Sequence, residues 1–204
     1  MEQLTIEELA QRNPEAAQKA HQKWVENYDW MPEWVIEDFR EHLLNDHGID
    51  MEEPYYSLGY SQSDFASFSG STDLATFMQK HGYDLKYPAI YVDVQAYSAR
   101  VRFDGSRSGR GWGGVSIDYA LGNSYPSGVF ADLSTEAWDE LIHDLWCNGA
   151  EEEIETDLRD LHKDLGRELY DMLRDAYEFD IEWDQFVECC LCNEYLFNED
   201  GEMV

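Results

Sequence analysis

The clearest pattern of apolar and polar positions lies between about Ala150 and Glu178. There the apolar residues Ile154, Leu158, Leu161, Leu165, Leu169, Met172 and Ala176 recur at spacings of 4, 3, 4, 4, 3 and 4. That period predicts one long amphipathic helix. Upstream, Ser134 or Thr135 can cap a helix over EAWDELIHDLWCNG, and a last helical piece covers about Trp183 to Leu191 before an extended tail. At the other end, Thr5 to about Arg12 predicts a short first helix. Asn13-Pro14-Glu15 then reads as N-cap, first helical position and first-turn acid of a second, with Ala16, Ala20 and Trp24 on one stripe. Pro32-Glu33 opens a third, whose Trp34, Val35, Phe39 and Leu43 fall at helical spacing, and Gly48 stops it.

Between these helical ends the period changes. YYSLGYS and ASFSG are short, aromatic and bounded by Gly and Ser, so they read as strands. Thr72 caps a short helix, DLATFMQKH, closed by Gly82. AIYVDVQAYSARVRF alternates with Ile90, Val92, Val94 and Ala96 on one face and slips phase near Ser98, which predicts a long strand with a bulge. DGSRSGRGWGG reads as a loop and VSIDY as a further strand. The expected fold is α+β in a single domain, 1–204. An antiparallel sheet at about 54–131 carries acidic helical segments, 1–53 and 132–204, packed on it.

Charge changes this picture more than composition does. The net charge is −30. Residues 1–53 hold 14 acids and 4 bases, residues 54–131 hold 6 of each, and residues 132–204 hold 24 acids and 4 bases. A neutral middle thus sits between two acidic flanks. Direct binding to nucleic acid or anionic lipid is disfavoured, because phosphate contacts need cations. Adaptation to high salt would spread acid over the whole surface, which the neutral middle contradicts. With 43% hydrophobic residues and 7 Trp, 13 Tyr and 9 Phe, the chain reads as folded and globular. No apolar run approaches 18 residues and no N-terminal apolar region stands out, so the expected location is the cytoplasm, without a membrane.

The predicted long helix carries the charge in an ordered way. Glu153, Asp157, Asp160, Asp164, Glu168, Asp171 and Asp175 each precede a member of the apolar stripe by one residue. They form a stripe of their own, rotated by about 100° and recurring about every turn, roughly every 5–6 Å. Neighbouring backbone phosphates of a duplex strand are separated by a comparable distance, about 6–7 Å. One reading is a surface that imitates nucleic-acid phosphates. The plainer reading is a solvated helix face, with Glu155–Arg159, Asp160–Lys163, Asp164–Arg167 and Asp171–Arg174 pairing locally.

Candidate chemistry elsewhere is sparse. The stretch YYSLGYSQSDFASFSG holds Ser61, Ser63 and Asp64, but no histidine is local to activate a serine. His21, His42, His47, His81, His143 and His162 form no spaced metal motif, and each is expected to be exposed or helix-terminal. Arg107 and Arg110 flank a Trp-containing loop that could grip an anion or simply be solvated. Cys147, Cys189, Cys190 and Cys192 are expected to be reduced thiols, some of them buried on a helix, with a three-cysteine metal site as the alternative. No Walker-type phosphate loop, dinucleotide fingerprint or EF-hand loop occurs, so no cofactor, metal or enzymatic activity is expected.

Three stretches taken in order carry a resemblance: WVENYDWMPEWVIEDFREHL, YYSLGYSQSDFASFSG and CLCNEYLFNEDGEMV. They resemble a family of small bacteriophage-encoded proteins labelled as the antitoxin of a toxin–antitoxin stability system. Gly59, Tyr60, Ser61, Gln62, Asp64, Ala66, Ser67, Phe68 and Gly70 match the family's hairpin. Asn193, Glu194, Tyr195, Phe197, Glu199, Asp200 and Gly201 match its tail. Ser63 and Phe65 stand where the family has glycines. The resemblance implies a phage origin and action inside a host cell. Ser61, Gln62 and Asp64 mark the hairpin.

Charge and resemblance together lead to one expectation: an acidic inhibitor of a host nucleic-acid-handling or defence protein, such as a restriction or CRISPR nuclease with a basic groove. The acids from Glu153 to Asp175 would be its contact face, and a homodimer is compatible with it. The alternative is an antitoxin-like protein that neutralises a toxin through apolar and aromatic surface. A third reading is an enzyme with a site around Ser61 or Asp64, which requires a His or Arg to arrive there in space.

Overall fold

The computed structural model of the chain describes residues 3–59, 64–97, 99–105, 114–119 and 124–204. It is an α+β fold, with 62% of the described residues in helix and 16% in strand. The chain forms two compact units, one made of Met1–Val35 with Met172–Val204, the other of Ile36–Asp171.

The first unit joins the two ends of the chain. Helix α1 (Ile6–Arg12) starts at a capping box: Thr5 Oγ1 accepts from the Glu8 N–H and the Glu8 carboxylate accepts from the Thr5 N–H. Helix α2 (Pro14–Glu26) starts as its sequence dictates, with Asn13 Oδ1 accepting from the Ala16 N–H and Pro14 in the first turn. Helix α9 (Trp183–Cys192) and the tail complete the unit. Leu4, Ile6, Leu9, Ala17, Phe186 and Phe197 are its buried core, with Trp24 and Trp183 packed on it. Leu4 and Phe197 exchange backbone hydrogen bonds of 2.9 Å in each direction.

The second unit contains the sheet. Helix α3 (Glu33–His42) runs into a π-turn, Leu43–His47, and ends at Gly48 with φ +69°. Strands β1 (Asp50–Ser57), β2 (Phe65–Asp73), β3 (Arg100–Asp104) and β4 (Gly114–Asp118) follow, all antiparallel and ordered β1-β2-β3-β4. Helices α4 (Leu74–Lys80), α5 (Tyr83–Lys86) and α6 (Pro88–Tyr97) connect β2 to β3. Asp73, rather than Thr72, caps α4 by accepting from the Thr76 N–H at 3.0 Å. After β4, helix α7 (Thr135–Leu145) starts at the Ser134 cap. Helix α8 (Glu151–Asp180) has 30 residues, of which those up to Asp171 belong to the second unit.

One sequence expectation fails clearly. Residues 89–103 are not one strand: Pro88–Tyr97 is α6 and only Arg100–Asp104 is β3. The buried residues of α6 are Ala89, Ile90, Asp93 and Val94, a helical spacing, while Ala96 is exposed. Pro88 occupies the first helical position, where its missing N–H costs nothing. The buried carboxylate at Asp93 hid the helical period, because an acid reads as a solvent position. The expected bulge at Ser98 lies outside the described residues.

Helix α8 meets the sheet at a glycine. A Cβ on Gly166 would lie 2.9 Å from the Ala66 carbonyl oxygen of β2. No other residue fits that approach without a backbone shift. Gly166→Ala is therefore expected to destabilise the protein by about 1–3 kcal/mol despite alanine's higher helix propensity. Chemical denaturation is the check, and a stabilised variant would show that the helix stands farther from β2.

Candidate functional site

Helix α8 carries three chemically distinct sides. Ile154, Leu158, His162, Leu165, Leu169, Leu173 and Ala176 are buried, so the apolar stripe is as expected except that His162 and Leu173 share it and Leu161 and Met172 are half-buried. Asp157, Asp160, Asp164, Glu168, Asp171 and Asp175 are exposed, and Glu153 is half-buried. At about 100° per residue, these acids lie on one flank. Arg159, Lys163, Arg167 and Arg174 fall together between the acids and one edge of the buried side. The sequence treats these bases as local partners of acids. Their own periodicity, at spacings of 4, 4 and 7, is the signal that was missed.

The acidic flank is partly held in place. The Tyr87 hydroxyl donates to Glu153 at 2.7 Å, and the Lys86 ammonium pairs with the same carboxylate. The Lys86 bond first, and the Tyr87 bond after it, hold the Glu153 pKa below the usual carboxylate value. Tyr83 donates its hydroxyl to Asp157; burial and that bond push the Tyr83 pKa well up. His42 Nε2 lies 3.4 Å from Glu168. Arg167 contacts Asp164 at 2.9 Å, and Arg174 contacts Asp175 at 2.9 Å and Glu178 at 3.9 Å. Arg159 pairs with Glu155, as the sequence suggests, whereas Asp160 and Lys163 form no ion pair with each other. A tyrosine donor fixes a carboxylate without cancelling its charge. Asp157 is thus oriented by a donor that carries no charge of its own.

Helix α7 adds acids that the stripe argument overlooked. Glu136, Asp139, Glu140 and Asp144 are all exposed on it. Between Arg110 and Arg159 the sequence holds eleven acids and no Lys or Arg. Counting charge by thirds of the chain averages that run away.

The basic side of α8 borders a groove of about 640 Å³ within the second unit. Arg159, Lys163 and Arg167 line it together with the carboxylates of Asp64, Asp160 and Asp171. Phe65, Val115 and Tyr170 supply ring and aliphatic surface, and Ser67, His162 and Gly166 complete the wall. The hairpin marker therefore divides. Asp64 enters the groove and also accepts from the Gly59 N–H at 3.0 Å, while Ser61 and Gln62 lie outside the described residues, as do Arg107 and Arg110.

Asp64 and His162 in one wall are the juxtaposition that the enzyme reading requires. The geometry gives His162 a different task. It is 6% exposed in the middle of α8, which corrects the expectation of an exposed or helix-terminal histidine. Its Nε2 lies 2.9 Å from the Phe68 carbonyl oxygen and 3.5 Å from Ser67 Oγ. A carbonyl only accepts, so Nε2 carries the proton and has no lone pair for Ser67. The β2–β3 ladder begins at Gly70, and His162 ties down the strand carbonyl just outside it. Ser67 itself is 5% exposed. This pair positions α8 on β2 and does not activate a nucleophile.

A second histidine cluster links α3, the π-turn and α4. The His47 ring lies 5.6 Å from His42 and 5.7 Å from His81, and His47 Nδ1 is buried without a hydrogen-bond partner. Burial lowers the pKa of His47, His81 and His162; neighbouring histidines add to this for the first two, while Asp46, Glu168, Asp157 and Asp104 oppose it in part. A histidine whose folded pKa lies below 6.5 takes up its proton first in the unfolded chain. Stability is then complete above about pH 6.5 and falls as the pH drops below it, before most carboxylates titrate near pH 4. Urea denaturation between pH 7.5 and 5 is expected to show this decline, reduced in His162→Phe. A rise in stability over that window would mean that relief of acid repulsion outweighs the histidines.

Among the described residues no group of three or more His, Cys, Asp or Glu side chains is placed to hold a metal ion, and no helix is long and apolar enough to cross a membrane. The four cysteines are free; Cys190 is buried, which pushes its thiol up to about 12, and Cys147 and Cys192 are exposed. Comparison with known protein families, curated proteins and solved structures finds no match to this chain.

Proposed function

We propose that the protein is an acidic inhibitor whose α8 flank stands in for nucleic-acid phosphates and occupies the basic groove of a nucleic-acid-handling protein, with a host defence nuclease as the favoured target. The observation that carries this reading is the segregation of charge on α8: six exposed carboxylates on one flank, about one per turn over some 27 Å, with the bases gathered on another. A merely solvated face needs no such sorting. The resemblance of the hairpin and tail to phage-encoded proteins favours action within a host cell.

The experiment is capture from host lysate on the immobilised protein, followed by elution with salt and, separately, with duplex DNA. Nucleic-acid-binding proteins released by either eluent are expected, because a phosphate mimic competes with DNA and its contacts are screened by ions. Retention that resists both eluents would overturn the reading in favour of an antitoxin-like apolar interface.

A further inference from the structure

We infer that the groove between β2 and α8 is a binding site for a nucleoside monophosphate. The inference goes beyond the acidic-flank reading and uses the basic side of α8, which Asp160 and Asp171 of the acidic flank border. A polyanion is repelled by a chain of net charge −30, but a mononucleotide meets the local balance of three cations and three carboxylates.

Each class of side chain in the wall matches one part of that ligand. Arg159, Lys163 and Arg167 stand one turn apart, about 6 Å along the axis, and suit a phosphate group. Lys163 is exposed and forms no ion pair among the described residues, which leaves its ammonium facing the groove's ligand space. Arg159 pairs with half-buried Glu155 and Arg167 with exposed Asp164, both within the same helix, and such solvent-facing pairs exchange at little cost. Asp64, Asp160 and Asp171 can accept from ribose hydroxyls and exocyclic amines. Phe65 and Tyr170 offer aromatic surface to a base, and Val115 adds an aliphatic contact. The groove volume of about 640 Å³ falls within the range of pockets that enclose small organic ligands, about 300–1,000 Å³.

Other occupants fit less of the wall. Inorganic phosphate would leave the aromatic surface unused. An acidic peptide would set its carboxylates against Asp64, Asp160 and Asp171. An added β-strand is blocked where Gly166 closes on Ala66.

The test is titration of the full chain with AMP, GMP, CMP and UMP, and in parallel with adenosine, inorganic phosphate and a short acidic peptide. Calorimetry and backbone amide shifts provide the readout. At least one nucleotide is expected to bind below about 1 mM, with adenosine and phosphate weaker by about tenfold or more. Shifts should centre on Ser67, His162 and Lys163. The exposed double variant Lys163→Ala/Arg167→Ala should lose about tenfold in affinity while its circular dichroism is unchanged. Absence of nucleotide binding, tighter binding of phosphate alone or of the peptide, or full binding by the double variant would each overturn the inference. Glu168 and Asp175 do not line the groove and contact His42 and Arg174 rather than its cations, so their substitution tests the inhibitor reading and leaves nucleotide affinity unchanged.

Discussion

Replacing Asp93 by alanine is expected to destabilise the protein by about 3–5 kcal/mol, the cost of removing one partner from a buried charged network. Asp93 is fully buried on α6. Its carboxylate accepts the Tyr119 hydroxyl at 2.6 Å, the Ser124 N–H at 3.2 Å and the Ser124 hydroxyl. Trp138, itself fully buried, donates its Nε1–H to Ser124 Oγ at 3.1 Å. One side chain thus ties α6 to the end of β4, to the segment before α7 and, through Ser124, to α7. Alanine would leave the Tyr119 hydroxyl and the Ser124 N–H without their acceptor, in a site too dry to replace it cheaply. Tyr119→Phe should cost less, about 1–2 kcal/mol, because it removes one donor and leaves the Ser124 donors on the carboxylate. The two losses should combine to less than their sum, since the tyrosine has nothing to donate to once Asp93 is gone. Denaturation of the single and double variants measures this. A cost below about 1 kcal/mol for Asp93→Ala would show that water reaches the carboxylate freely.

That network also explains where the sequence is legible and where it is not. Helix starts read well because their signals are local: Asn13, and Ser134 of the pair Ser134 and Thr135, cap the helices that their side-chain oxygens predict. The long helix reads well because its apolar period persists over 30 residues. Residues 89–97 mislead because Ile90, Val92 and Val94 favour strands and their alternation is locally indistinguishable from one. What decides for a helix is Asp93, buried by Tyr119 and Ser124 from farther along the chain, and no local rule contains that contact. The groove is hidden for the same reason. Asp64 and Lys163 lie almost a hundred residues apart, and only the close approach at Gly166 and the His162 bond to Phe68 bring their segments together.

The triple variant Asp164→Lys, Glu168→Lys, Asp175→Lys is expected to lose partner binding by about a hundredfold or more at low salt, since each reversal removes an attraction to a basic groove and adds a repulsion. The fold should tolerate it. All three residues are exposed, and their contacts are pairs with Arg167, His42 and Arg174 at the surface, where substitutions cost about 0.5 kcal/mol or less each. Glu153 and Asp157 are unsuitable for this test because Tyr83, Lys86 and Tyr87 hold them, so their loss would disturb α5 as well. The control is Glu136→Lys, Asp139→Lys, Glu140→Lys on α7, which changes the net charge by the same amount at exposed positions. Long-range attraction depends on total charge and would weaken equally in both variants. A phosphate mimic depends on where the charges stand, so the α8 variant should lose far more. Equal losses would reduce the acidic flank to a steering field, and a larger loss from α7 would move the contact face to the stretch that has no base between Arg110 and Arg159.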